Sequence, residues 1–188
     1  MSPINLNKEI ADYFLTDAHE FQFRYKLLEE KTNISMGFRS KLLLELTFSL
    51  ECALKSLIFI ESTESEKLTY KKVIKQGHNI GKLVETLTPG SQERYKQIMR
   101  IDLEQYKVCC RYLLESEISF SEESGGLGEK YYSTIADPAW LSNIYDQVNN
   151  FIEFVREKNP IDFTPRKIAD IDIQYEIKKH KILTSIRQ

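Results

Sequence analysis

The chain has 188 residues, enough for one domain or one domain with a terminal appendage, and its 41% hydrophobic content supports a real core. Against 28 acidic residues stand 26 basic ones, a net charge of -2, which excludes a strongly basic nucleic-acid binder but leaves room for RNA contact through a local patch. With 7 glycines and 5 prolines the composition is that of a helical chain, and the cysteines Cys52, Cys109 and Cys110, odd in number with an adjacent pair, do not make a disulfide framework. They read as reduced core residues. A polar start (Asn5, Asn7, Glu9, Asp12) lacks a signal peptide, and the longest apolar runs are broken by Glu and Lys before they reach membrane-spanning length. A cytoplasmic protein with no membrane partner is expected.

In chain order, Leu6 to Lys31 carries Ile10, Phe14, Ala18, Phe21, Tyr25 and Leu28 at three- and four-residue intervals, one stripe of a helix that Asn5 or Asn7 can cap. Thr32-Asn33 reads as a turn. From Ser35 to Ser62, Leu43, Leu46, Leu50, Ala53, Leu54 and Leu57 make a main stripe that Leu42, Leu44, Phe48, Ile58 and Phe59 widen. A helix apolar on most sides is a central one, here roughly 42 Å long. The charged stretch from Thr63 to Gln76 predicts a loop with a short helix around Lys67 to Ile74. Gly77 breaks the chain, Asn79 is placed to cap a short helix from Ile80 to Leu87, and Pro89-Gly90 ends it.

Ser91 to Glu117 predicts a second long helix, capped by Ser91 and striped by Tyr95, Ile98, Met99, Leu103, Tyr106, Cys109, Cys110 and Leu113. The Gly- and Ser-rich run from Ser121 to Gly128, within Ser116 to Asp137, predicts a mobile loop. Asp137-Pro138 is a cap followed by proline at the first helical position. The helix it opens, to about Lys158, buries Leu141, Ile144, Tyr145, Val148, Phe151, Ile152 and Val155, and Asn159-Pro160 stops it. In the tail, Ile171, Ile173, Tyr175 and Ile177 alternate like a strand, whereas Ile168, Ile171, Tyr175 and Ile182 fit a helix. A lone strand has no local partner, which favours the helix. The expected fold is all-α: an up-and-down bundle of four to five long helices with short accessory helices over residues 1–160, then a tail or arm, helix or strand, over 161–188.

Polar groups among the core positions mark the candidate site. Glu51 and Lys55 lie one helical turn apart, either as a surface ion pair or as a pair facing an internal polar pocket. His78 sits at the corner after Gly77, either as a loop hydrogen-bonder or as a general acid or base, since histidine alone titrates ordinarily near neutrality. Asn79 reads as a cap. Arg111 and Glu115 are again one turn apart; Arg111 can pair with Glu115 or cross the bundle to Glu51 and hold a phosphate. Tyr112 offers a hydroxyl or a stacking face, or simply core. His19, His78 and His180 are isolated and no Cys-x-x-Cys occurs, so neither metal nor cofactor is expected. The run Lys178-Lys179-His180-Lys181 reads as a solvated tail.

Three of these elements carry a family resemblance. Glu51-Cys-Ala-Leu-Lys55-Ser-Leu, the corner Gly77-His78-Asn79-Ile-Gly-Lys-Leu83, and Arg111-Tyr112-Leu-Leu-Glu115 resemble, in order and spacing, the HEPN superfamily (higher eukaryotes and prokaryotes nucleotide-binding domain) over about residues 36 to 117. The resemblance implies a helical bundle, often dimeric, of bacterial toxin–antitoxin and phage-defence systems. Many members are metal-independent ribonucleases that use Arg followed four to six residues later by His. Here no His follows any Arg at that spacing. The expected function is therefore binding of RNA, a nucleotide or a partner protein. The alternatives are a metal-independent ribonuclease built on Arg111 and His78, with Glu51, Lys55, Asn79, Tyr112 and Glu115 as binding residues, and a purely structural interaction protein. A homodimer is expected, because Phe21, Phe23, Phe38, Phe48 and Phe59 exceed what a small bundle needs inside.

Overall fold

Small side chains set the first packing. Helix α1 (Leu6–Glu29) and helix α2 (Gly37–Glu61) run antiparallel. Ser49 Oγ donates to the Ala18 carbonyl and Ser56 Oγ to the Ala11 carbonyl, each at 2.8 Å. The two Ala–Ser pairs recur at heptad spacing, which returns to the same helix face, and their size lets the backbones approach until a hydroxyl reaches a main-chain acceptor. The same register sets Phe21 beside Phe48 and Arg24 beside Glu45. The computed structural model describes residues 6–31, 37–103, 132–159 and 168–187.

The remaining elements are α3 (Glu66–Gln76), α4 (Ile80–Thr86), α5 (Pro89–Ile98), α6 (Pro138–Lys158) and α7 (Ile168–Arg187). Among the described residues the fold is all-α, with four long helices (α1, α2, α6, α7) and three short ones. No helix among them is long and apolar enough to cross a membrane. As its all-round apolar pattern requires, α2 is the central helix, touched by α1, α3, α4 and α6. Leu43, Leu46, Leu50, Ala53, Leu54, Leu57 and Phe59 on it are buried. Helix α6 also runs antiparallel to α1, with Tyr25 stacked on Tyr145 at 5.0 Å and Asn159 Nδ2 donating to Asp12 Oδ1 at 2.7 Å.

Several expectations are corrected. The buried stripe of α1 is Ile10, Ala11, Leu15, Ala18, Gln22 and Tyr25. It keeps Ile10, Ala18 and Tyr25 of the expected stripe and adds Ala11, Leu15 and Gln22, while Phe14 and Phe21, which also pack on α2, stay partly exposed. Phe59 is fully buried against Phe14, 5.8 Å between centroids, and is no part of a surplus surface; Phe23 is the exposed one of that set, at 65%. Pro89 does not end a helix but begins α5 at its first position, where its missing N–H costs nothing. Thr88, not Ser91, occupies the cap position, and Glu61 of α2 accepts from Thr88 N and Oγ1 at 3.0 Å and from Ser91 Oγ at 2.5 Å.

The expected long helix from Ser91 to Glu117 stops at Ile98. No Gly or Pro breaks it. Instead the buried Gln147 of α6 reaches across, and its Oε1 accepts from Arg100 N at 2.7 Å and Ile101 N at 3.3 Å. Those N–H groups would otherwise need helical carbonyls. The tail from Ile168 is helical. It docks on α1 and α3 through Tyr13–Tyr175 (5.7 Å), the ion pair Lys178–Glu9 (2.7 Å), a Ser185–Glu66 hydrogen bond and buried Ile182.

Candidate functional site

Helical spacing places Glu51 and Lys55 on one side of α2, and the folding of α1 and α4 onto that side buries them. Glu51 is 4% exposed and Lys55 9%. Lys55 Nζ donates to Glu51 Oε1 at 2.5 Å and lies 5.8 Å from the Phe14 ring centroid. The pair is thus internal rather than a surface ion pair. Both charges have left water, a cost that only close pairing and further hydrogen bonds offset.

The further hydrogen bonds come from the corner. Gly77 ends α3 with φ 61 and ψ -126, and its N–H donates to the Ile74 carbonyl at 3.1 Å. An L side chain rarely adopts that backbone, so glycine is needed for the chain to reverse here. The reversal aims His78 at α2, where Nδ1 lies 2.8 Å from Glu51 Oε2 and 3.1 Å from Oε1. A carboxylate only accepts, so the proton of this contact sits on Nδ1. The imidazole side chain is 57% exposed, with no Nε2 partner among the described residues. Asn79 is used differently: its side chain accepts from Lys82 N at 2.8 Å and starts α4.

The structure therefore joins Glu51, Lys55 and His78 into one cluster and places Asn79 beside it as a cap. Arg111, Tyr112 and Glu115, with Cys109, Cys110 and the glycine-rich run 121–128, lie outside the described residues.

Sequence reasoning missed the surroundings. Phe48 stands 6.1 Å from the His78 ring, Phe21 stands 5.3 Å from Phe48, and the Arg24 guanidinium lies 4.0 Å over the Phe21 ring. The sequence signal for it is the recurrence of Phe14, Phe21 and Arg24 along one edge of α1, in which the two phenylalanines alone read as core or dimer surface. Cys52, next to Glu51, is partly buried. Burial first, then the Glu51 and Asp17 carboxylates, push its thiol up to about 12, so it is a poor nucleophile. Burial also raises the Glu45 carboxyl, against the pull of Arg24 at 3.1 Å. Among the described residues no group of three or more His, Cys, Asp and Glu converges as a metal ion would require.

Chemically, the cluster resembles a base held by an orienting carboxylate: Glu51 fixes ring and tautomer, Lys55 balances Glu51, and Nε2 faces outward. Comparison of the chain with protein-family models, curated proteins and solved structures found no match.

Proposed function

We propose that this chain is a HEPN-like helical domain of a bacterial defence or toxin–antitoxin type system, and that it binds RNA or a nucleotide at the corner where His78 meets Glu51. One observation carries the reading: a carboxylate buried in the central helix is shared between a buried lysine and an outward-facing imidazole. A bundle that needed only stability would gain as much from an apolar residue at Glu51. Keeping a buried charge whose visible effect is to orient a half-exposed ring supports a recognition task for that ring. The order of Glu51, Lys55, His78 and Asn79 along the chain adds the HEPN resemblance to the argument.

A second reading, a metal-independent ribonuclease with a divergent site, draws on the same geometry. An imidazole with Nδ1 tied to a carboxylate and Nε2 open is arranged to take the proton of a ribose hydroxyl as general base. One experiment separates the two. End-labelled transfer and messenger RNA are incubated with the full chain in EDTA, and both retention and cleavage are followed for wild type, His78→Ala and Arg111→Ala. Intact RNA retained by wild type and released by His78→Ala is the expected result. Cleavage that both substitutions abolish selects the ribonuclease. RNA neither retained nor cut overturns both and leaves a structural role for the cluster.

A further inference from the structure

Helix α3 carries its charge on one side. At about 3.6 residues per turn, Ile74, Lys67, Lys71, Lys75, Leu68 and Lys72 fall in that order across an arc of about 160°, while Thr69 and Val73 are buried on the other side. The arc faces solvent: Leu68 is 53% exposed and Ile74 54%, and Lys71 and Lys75 between them are exposed as well. Lys72, at the far edge, is paired with Glu64 at 2.6 Å. No ion pair among the described residues neutralises Lys67, Lys71 or Lys75. The positive charge continues onto α7, where Lys181 and His180 line a groove of about 670 Å³ with Lys67; the Glu66 carboxylate in that groove is hydrogen-bonded to Ser185. A chain of net charge -2 has thus gathered lysines onto one face.

The side chains on the arc select among anionic partners. Lysine is a point charge without the guanidinium fork that grips one phosphate or carboxylate in a fixed geometry. None of the six residues is an arginine or an aromatic ring on which a base could stack. The lysines lie between two exposed aliphatic side chains, whose burial is favourable only where an apolar phase lies beneath the charge. A surface diffuse in negative charge and apolar underneath meets all three conditions.

We propose that the outer face of α3, continued by Lys181 of α7, adsorbs to an anionic phospholipid bilayer, with Lys67, Lys71 and Lys75 at the level of the headgroup phosphates and Leu68 and Ile74 dipping into the acyl boundary. Adsorption in the interface plane needs no spanning helix. The face uses no residue of the His78 cluster, so it stands or falls separately from the reading of that corner.

The test is co-sedimentation of the full chain with vesicles of phosphatidylcholine alone and of phosphatidylcholine mixed with phosphatidylserine, at physiological ionic strength. Wild type is expected to sediment with the mixed vesicles only and to be released at about 1 M salt, where the screening length falls to about 3 Å. Each lysine near the surface is worth about 5-fold, so Lys71→Gln/Lys75→Gln should weaken binding by about 25-fold. Leu68→Gln/Ile74→Gln should weaken it as well. Lys26→Gln/Lys96→Gln, the same charge change on α1 and α5, should sediment like wild type. All four substituted positions on α3 are exposed, so these variants keep the core intact. Absence of wild-type binding to the mixed vesicles overturns the proposal, and so does a loss as large in the Lys26/Lys96 control as in the α3 lysine pair. Vesicle binding that ignores Leu68→Gln/Ile74→Gln, with equal affinity for soluble poly-glutamate, makes the face a dock for an acidic protein and also overturns it. RNA retention abolished by Lys71→Gln/Lys75→Gln, without vesicle binding by wild type, assigns the lysines to RNA and does the same.

Discussion

Two glutamates of α2, ten positions apart, do opposite things with the same functional group. Glu61 accepts from Thr88 N, Thr88 Oγ1 and Ser91 Oγ, all within the first turn of α5. Its donors are neutral and the network ends there, so it anchors one helix to another. Glu51 accepts from Lys55 Nζ and His78 Nδ1. Its donors are a charge and a titratable ring, and the ring's other nitrogen has no partner among the described residues. A saturated carboxylate holds a helix in place, whereas one shared with an outward-facing imidazole can pass its orientation on to a ligand. Glu51 is buried and Glu61 only partly so, and the nature of the last donor divides their roles further.

The largest expected effect tests how firmly the Glu51 cluster is buried. Lys55→Ala leaves the carboxylate in the core with only the histidine and should cost roughly 3–5 kcal/mol in urea denaturation; a loss below about 1 kcal/mol would mean that water reaches the pair. Glu61→Ala removes three hydrogen bonds from the start of α5 and should cost about 2 kcal/mol. It should leave RNA retention at wild-type level, and a parallel loss of binding would erase the contrast between the two glutamates. Next comes the corner itself. Nothing lies within 4 Å of a Cβ added at Gly77, so Gly77→Ala meets only the penalty of its positive φ, about 1–2 kcal/mol. RNA binding should weaken with it as His78 is re-aimed, which thermal melts and anisotropy can separate.

The smallest effect concerns a third carboxylate. Burial first, then Glu9, push Asp12 up to about 6, against Lys178 and the Asn159 hydrogen bond. The folded chain then holds this proton more tightly than the unfolded chain does. Its contribution to stability is complete below the ordinary carboxylate range and is lost as pH rises through about 6. Asp12→Asn should flatten the melting-temperature profile between about pH 4 and pH 6 and melt slightly above wild type at pH 7. An unchanged slope in the variant would assign the dependence to other groups.

Legibility in the sequence followed the range of the forces involved. The 3.6-residue period located α1, α2 and α6, and local cap chemistry placed Asn79 before α4 and Asp137 before Pro138. One-turn spacing paired Glu51 with Lys55. His78 reaching Glu51 was not legible, because the approach spans 27 residues and depends on one backbone conformation at Gly77. The stop at Ile98 was not legible either, since its cause is a glutamine side chain on another helix. In α1 the aromatic residues suggested the buried face, but close packing against Ser49 and Ser56 selected the alanines. The tail carried two periods, and docking on α1 and α3 resolved it as a helix.

Helix α5 has only 10 residues, too few to persist alone in water. Both its ends are completed from elsewhere, by Glu61 of α2 at the start and by Gln147 of α6 just past the finish. Its backbone amides should therefore exchange with deuterium only when α2 and α6 separate. A ten-residue helix that would ordinarily fray first becomes a gauge of whole-molecule opening.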